Sequence, residues 1–352
     1  ANIVLYLNSE SIYLLEKDSF KHLYSLTYTA LMITGLVLAK RIWNVNVTRN
    51  DFFRFSRKPF LIGIAGDSGS GKDTFANLII DLFGKHSVSH LSGDDYHLWD
   101  RKQPLWKVFT HANPAANDLE GFANDLITLA DGKTAKVSHY DHQSGLSGLP
   151  KKLHSNNLII ASGLHALYLP IIRNCFDLSI FLDIDEDLRR YFKTYRDVTE
   201  RGYTKEEVRL SLERRYADAK HFIQSQKQFA DLVFSLLPAR EEDLQAEVNP
   251  RMLQLKLRIQ SRNVFNELSL KRALIGICGL NVEMEFDPFN SKISMLVDGD
   301  CNSEDIALAA KILCPKVFDF LDLQPNWCNG LYGIMQIITL SHISQALTKR
   351  FI

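Results

Sequence analysis

Residues 60 to 75 read FLIGIAGDSGSGKDTF, an apolar run followed by a glycine-rich turn, a lysine and the start of a helical pattern. The chemistry open to this order is the holding of phosphate groups. Gly66, Gly71 and Lys72 fit a GxxxxGK loop, in which glycines let the backbone wrap an anion, amides and a helix N-terminus donate to its oxygens, and the lysine adds a point charge. Gly66, Asp67, Ser68, Gly69, Ser70, Gly71, Lys72, Asp73 and Thr74 are therefore the candidate nucleotide-binding residues. The position after the lysine normally carries Ser or Thr, whose hydroxyl binds Mg²⁺. Here it carries Asp73, with Thr74 next. A carboxylate is also a hard-oxygen magnesium ligand, so Asp73 is a candidate metal ligand, the other reading being an acid that favours a helix start.

Such a loop works only between a buried strand and a helix, and the surrounding pattern supplies both. Apolar runs at 60–65, 158–161 and 178–182 have the length and composition of strands buried on both faces, while 73–83, 119–130 and 187–199 carry helical spacing. Strands alternating with helices predict an α/β fold with a mostly parallel sheet flanked by helices. The 352 residues are long for one domain and suggest two domains or one with large extensions. Lys and Arg balance Asp and Glu, 41 against 41, so no global field draws the chain onto nucleic acid, and any anion site must be local. Five scattered cysteines without metal-ligand or CxxC spacing point to a reducing compartment and no disulfide framework. Residues 23 to 39, LYSLTYTALMITGLVLA, are uncharged and at the lower length limit for a membrane span. A buried core helix is the competing reading; if the run spans, the basic residues after it put the rest of the chain in the cytoplasm.

Beyond the loop, SGDDYHLWDR at 92–101, NPAANDLEGF at 113–122, KVSHYDHQSG at 136–145, GLHALY at 163–168 and RDVTERGYTKEEV at 196–208 follow in order. Together they resemble the phosphoribulokinase and uridine kinase family of P-loop kinases. The stretch 211–238 and NGLYGIMQIITLSHISQAL near the C-terminus lean toward the phosphoribulokinase branch. The resemblance covers residues 58 to 352, strongly to 238 and weakly after it. It implies a P-loop kinase domain at 58–238 and an α+β C-terminal extension at 239–352, and leaves outside the family an N-terminal extension at 1–57, helical on the pattern of the run at 23–39. ATP and Mg²⁺ are the implied cofactors, and the family also implies a homo-oligomer.

Carried over residue by residue, the resemblance makes Asp94 the general base, with Asp95 its neighbouring candidate. His97, Arg101, Tyr140, His142 and His165 fall on the acceptor side. Lys193 and Arg196, with Arg201 nearby, fall in a lid that closes over ATP, and Arg214 and Arg215 match adjacent arginines that face the acceptor's phosphate. Neighbours on a helix diverge by about 100°, so one of the two is expected to point at a ligand. Two positions depart from the pattern. Ser162 stands where the family has a glutamate serving magnesium, which suggests that hydroxyl and carboxylate have been exchanged between Ser162 and Asp73. Ser70 stands where phosphoribulokinases of oxygenic phototrophs carry a redox cysteine, so that thiol switch is not expected. The leading expectation is transfer of the ATP γ-phosphoryl to a hydroxyl of a sugar phosphate in the cytoplasm. A nucleoside kinase and a membrane-tethered nucleotide-binding regulator without turnover are the alternatives.

Overall fold

Short runs of Ile, Leu, Phe and Val build the sheet, because in a parallel sheet both faces must be covered. In the computed structural model β1 (Phe60–Gly66), β2 (Val88–Ser92), β3 (Leu158–Gly163), β4 (Leu178–Ile184), β5 (Leu232–Pro238), β6 (Leu255–Ser261), β7 (Asn281–Asp287) and β8 (Lys292–Asp298) form one sheet of eight strands. Residues 58–350 are described apart from 101–102, 142–143, 246–248, 250–251, 263–266 and 288–291, and they fall within one compact unit, Arg54–Ile352. The expected extension 1–57 with its apolar run, Arg101 and His142 lie outside the described residues.

The spatial order is β7-β8-β6-β5-β4-β1-β3-β2. From β2 to β5 every pairing is parallel; from β5 outward through β6 and β8 to β7 every pairing is antiparallel. The expected α/β class with a mostly parallel sheet is thus present, and the later residues form an α+β extension. Parallel neighbours require crossovers, and α1 (Lys72–Phe83), α2 (Leu119–Ala130), α3 (Glu186–Thr199) and α4 (Lys205–Asp218) lie in them. The extension carries α5 (Glu267–Gly276), α6 (Ser303–Leu313) and α7 (Gly330–Arg350). Among the described residues no helix is long and apolar enough to cross a membrane.

All seven residues of β1 are buried. Phe60, Ile62 and Ile64 share a core with Phe75 and Ile79 of α1 and Ile334 and Ile338 of α7, while Leu61 joins Leu91, Phe122 and Leu126 on the opposite face. Gly63 is required between them, since a Cβ there would meet the ring of Phe176 at 2.4 Å. In β6 the pattern changes: Leu257 and Ile259 are buried, Arg258 and Gln260 exposed. Alternation of this kind is what an antiparallel strand shows when one face meets water. The carboxyl ends of β1, β3 and β2 lie level, with Ala65 paired to Gly163 and Ser162 to Ser92. Crevices outside such strand ends are where open α/β sheets bind ligands.

Candidate active site

The phosphate loop leaves β1 at Gly66 and enters α1 at Lys72. Gly69 and Gly71 take φ of 87° and 84°, a left-handed backbone that side chains resist. Gly71 occupies the N-cap without a side-chain cap, so the first helical N–H groups remain available to an anion. Lys72 folds back over the loop, its Nζ donating to the carbonyl of Asp67 at 3.1 Å. Ser68, Gly69, Gly71, Lys72, Asp73 and Thr74 line a cleft of ≈ 330 Å³. Asp67 instead lies under the loop, 3 % exposed, accepting from the Ser68 N–H at 2.6 Å and facing Arg189 at 3.4 Å and Arg215 at 3.7 Å. Its carboxylate therefore ties the loop to α3 and α4.

The second wall follows β2. A short 3₁₀ turn spans Gly93–Tyr96, and a Cβ on Gly93 would lie 3.1 Å from the Ser162 carbonyl, so glycine permits the turn to sit against the end of β3. Asp94 lines the cleft. Asp95 points away: it accepts from the Tyr140 N–H at 2.8 Å and meets His139 Nδ1 at 3.3 Å. Two aspartates that the sequence offers as neighbours are thus divided, one to the cleft and one to a hairpin. His97 also lines the cleft, its Nδ1 3.0 Å from Asn117 Oδ1. The Asn117 amide donates to the His111 and Asn113 carbonyls at 3.1 and 3.0 Å, which makes Oδ1 the acceptor for His97. Trp106 and His111 complete this side; their rings are 3.8 Å apart, and His97 packs 5.1 Å from Tyr140, which is 2 % exposed. His165, 4 % exposed, is held down to about 4 by burial, so its imidazole is neutral at pH 7.

The roof comes from α3 and α4. Asp185 caps α3 by accepting from the N–H groups of Asp187 and Leu188, and Thr204 with Glu207 forms a capping box on α4. Spacing of four then brings Lys193 and Asp197 together at 2.6 Å, with side chains 7 and 6 % exposed. Arg196 and Arg201 reach the other Asp197 oxygen at 2.9 and 3.3 Å. Burial alone would raise the Asp197 carboxyl, but the Lys193 hydrogen bond and the charges of Lys193 and Arg196 outweigh it and hold it below the usual range. Burial, aided by Arg215 and Arg196, pushes Lys193 down against the pull of Asp197. Lys72, Lys193, Arg196, Arg201 and Arg215 line the cleft against two lining carboxylates, Asp73 and Asp94. A nearly neutral chain thus concentrates positive charge at one place.

Of the candidates read from the sequence, Ser68, Gly69, Gly71, Lys72, Asp73, Thr74, Asp94, His97, Lys193, Arg196 and Arg215 share the cleft wall. Gly66, Asp67, Ser70, Tyr140 and His165 sit behind that wall. Arg214 is exposed and does not line the cleft; its neighbour Arg215 does. Sequence reasoning assigned no role to Trp106, His111, Asp197 or His90. Asp197 was signalled by its spacing of four from Lys193 and Arg201, whereas the other three depend on contacts between distant segments.

His90 bears on the magnesium question. Its Nε2 lies 2.8 Å from Ser162 Oγ, and Ser162 is 1 % exposed. Burial lowers His90 from its ordinary value, with Asp73, Asp95 and Asp94 opposing. The hydroxyl expected to share an ion with Asp73 is therefore engaged by an imidazole. Asp73 and Thr74 are exposed in the cleft beside Lys72, a hard-oxygen pair that fits Mg²⁺, which binds through one or two carboxylates together with substrate phosphates.

Comparison with known proteins agrees with this geometry. The model of the Phosphoribulokinase / Uridine kinase family matches residues 61–242. A phosphoribulokinase from Synechocystis sp. is 38 % identical over 180 residues, 51 % of this chain and 54 % of that one. A uridine kinase from Ligilactobacillus salivarius is 31 % identical over 180 residues, 50 % of this chain and 84 % of that one. The chain spans about half the length of the curated phosphoribulokinases it matches. The structure of a phosphoribulokinase from Rhodobacter spheroides aligns with a TM-score of 0.58 over 84 % of this chain and 100 % of that one, at 19 % identity, a likeness of fold that includes the extension. With the phosphate loop, the level strand ends and more than half of its length accounted for, the chain belongs to the phosphoribulokinase/uridine kinase family.

Proposed function

We propose that the protein is an ATP-dependent kinase that transfers the γ-phosphoryl group to a hydroxyl of a sugar phosphate. The observation that carries this reading is the placement of Asp94, across from the phosphate loop, among five cations that line the same cleft. In the mechanism we infer, Asp94 accepts the proton of the acceptor hydroxyl as its oxygen attacks the γ-phosphorus, while the bond from that phosphorus to the β,γ-bridging oxygen breaks and ADP leaves. Lys72 and the loop amides hold the β- and γ-phosphates, and Arg196 and Lys193 neutralise charge on the group in transfer. Asp73, with Thr74 beside it, would hold Mg²⁺, which supplies further neutralisation of the phosphate oxygens. His97 would orient the acceptor. Cleft-facing Arg215 supports an acceptor that already bears a phosphate, because guanidinium groups recognise phosphate by paired hydrogen bonds.

The second reading is a nucleoside kinase, favoured by the uridine kinase relative that the chain covers over 84 % of its length. A coupled assay of ADP release over pentose phosphates, pentoses and nucleosides separates the two. Turnover with a phosphorylated pentose and not with its unphosphorylated form is the expected result. Preference for nucleosides overturns the acceptor assignment, and ATP binding without turnover of any acceptor overturns the kinase reading in favour of a nucleotide-binding regulator.

A further inference from the structure

Asp67 belongs to the phosphate loop, yet its carboxylate does not line the cleft and its side chain is 4 % exposed. A charge buried to this degree has to be compensated. Its two oxygens meet different partners: Oδ2 lies 3.4 Å from Arg189 Nη1, while Oδ1 accepts from the Ser68 N–H at 2.6 Å and lies 3.7 Å from Arg215 Nη2. The two arginines are not equivalent. Arg189 is also committed elsewhere, donating from Nε and Nη2 to Glu186 at 2.9 Å each, and it does not line the cleft. Arg215 does line the cleft, its side chain 17 % exposed, and among the described residues Asp67 is its one ion-pair partner. Its Nη2 is buried without a hydrogen bond, a costly state for a donor, and the gap to Asp67 exceeds hydrogen-bond length by about half an ångström. Burial pushes the Arg215 guanidinium down, and Asp67 is the largest charge opposing it, ahead of Asp94 and Asp197, with Arg189 acting alongside burial.

We propose, resting on the reading of a phosphorylated acceptor, that Asp67 is a positioning residue for Arg215: it holds Nη2 from beneath the phosphate loop so that the remaining N–H groups of the guanidinium meet the acceptor's phosphate. Paired hydrogen bonds to a phosphate require the plane of the arginine fork to be fixed as well as its charge, and an anchored Nη2 fixes that plane. Lys193, Arg196 and Arg201 converge on Asp197 within the roof, whereas Arg215 takes its orientation from the loop. The same Oδ1 that faces Arg215 is held by the backbone of Ser68, which lines the cleft. A nucleotide that orders the loop therefore fixes Oδ1, closes the gap to Nη2 and readies the arginine for the second substrate. Selection of a phosphorylated acceptor is thereby set in part by a residue that touches neither substrate.

Asp67→Asn keeps the side-chain volume and an amide oxygen for the Ser68 N–H but removes the charge. Arg189 retains Glu186, so Arg215 is the cation left unpaired beside a like charge. In the ADP-release assay with pentose phosphates, KM for the phosphorylated acceptor should rise roughly ten- to a hundredfold, the range of a hydrogen bond to a charged group, with kcat and the calorimetric affinity for a non-hydrolysable ATP analogue little changed. A loop that had merely lost its shape would weaken the analogue instead. In an Arg215→Gln background Asp67→Asn should raise the acceptor KM no further, because its effect runs through Arg215. X-ray diffraction of the full chain with the analogue bound should show Arg215 Nη2 within hydrogen-bond distance of Asp67 Oδ1 in the wild type and the guanidinium turned away in Asp67→Asn. An unchanged acceptor KM, equal rises in both Arg215 backgrounds, loss of analogue affinity in place of the KM effect, or an analogue-bound wild type in which the two atoms stay 3.7 Å or more apart would overturn the proposal. If no pentose phosphate is turned over, the acceptor reading fails by itself, and the analogue complex of the wild type still decides whether Asp67 holds Arg215.

Discussion

The floor and the roof of the cleft both present phosphate-binding groups, by opposite means. The floor uses backbone: glycines at 69 and 71 in left-handed conformation and the uncapped start of α1, with Lys72 resting on the Asp67 carbonyl. The roof uses side chains, three of which converge on the buried carboxylate of Asp197. Backbone donors cannot turn away, so the floor is ready for an anion at all times. Lys193, Arg196 and Arg201 are instead held by an internal anion, and a bound phosphoryl group must compete with Asp197 for them. The floor is thereby suited to binding ATP and the roof to sensing charge that develops on the group in flight.

This contrast is open to test. The largest effect is expected at the general base, on the wall beside floor and roof. Asp94→Asn should reduce turnover by about two to four orders of magnitude, the span of a general base, and leave the calorimetric ATP affinity unchanged; near-normal turnover removes Asp94 from that role. Next, the two banks should fail in different parameters. Arg196→Ala should lower kcat by about 10²- to 10³-fold, as loss of one transition-state donor does, while Lys72→Ala should weaken ATP binding itself, because its charge meets the phosphates in ground and transition states alike. Parallel losses in both parameters for both variants would erase the division between floor and roof.

Asp197→Asn sharpens the roof alone. Removing one partner of a buried pair costs roughly 3–5 kcal/mol, and the low end is expected because the Arg201 and Arg196 side chains are 52 and 32 % exposed. The folded-state value of Asp197 is depressed, so its contribution is complete above the unfolded carboxyl value of about 3.9 and is lost as pH falls through the folded value. Urea midpoints measured at neutral and acid pH should therefore converge for wild type and Asp197→Asn as the solution is acidified; a constant gap would deny the carboxylate this part. The smallest effect is at the metal. Asp73→Ser should raise the Mg²⁺ concentration for half-maximal rate, and Ser162→Glu added to it should restore the wild-type requirement if the new carboxylate displaces the His90 contact. Simple additivity would separate the two positions and leave Asp73 an acid at a helix start.

The floor was legible in the sequence because its function resides in backbone conformation, and glycine spacing encodes backbone conformation directly. Lys72, Asp94 and the order of strand and helix came with it. The roof was half legible: Lys193, Arg196 and Arg215 were identified, but Asp197 was assigned no role, since burial of a helix face cannot be read from charge spacing. Asp94 was chosen over its neighbouring candidate Asp95 by resemblance alone, and the hairpin holding Tyr140, which gives Asp95 its own hydrogen bond, adds a physical separation of the two. His90 was invisible for a stronger reason: it meets Ser162, 72 positions away, only because β2 and β3 pair side by side. The parallel half of the fold followed from long apolar runs, whereas β6 to β8, with one solvated face, carry the weaker alternating pattern.

The sheet passes through Pro238 without interruption, β5 bonding to β4 on one side and β6 on the other. Gln336 of α7, fully buried, donates from its amide to the Leu78 carbonyl of α1 at 3.1 Å. A chain cut after Pro238 would therefore not yield a minimal catalytic module. It would expose β5 as a bare edge, a template for aggregation, and would strip the α7 buttress from the helix that carries the phosphate loop. Engineering of this protein has to treat the extension as a support packed behind α1, and substitutions at the α1–α7 contact become a remote means of tuning how firmly that loop is held.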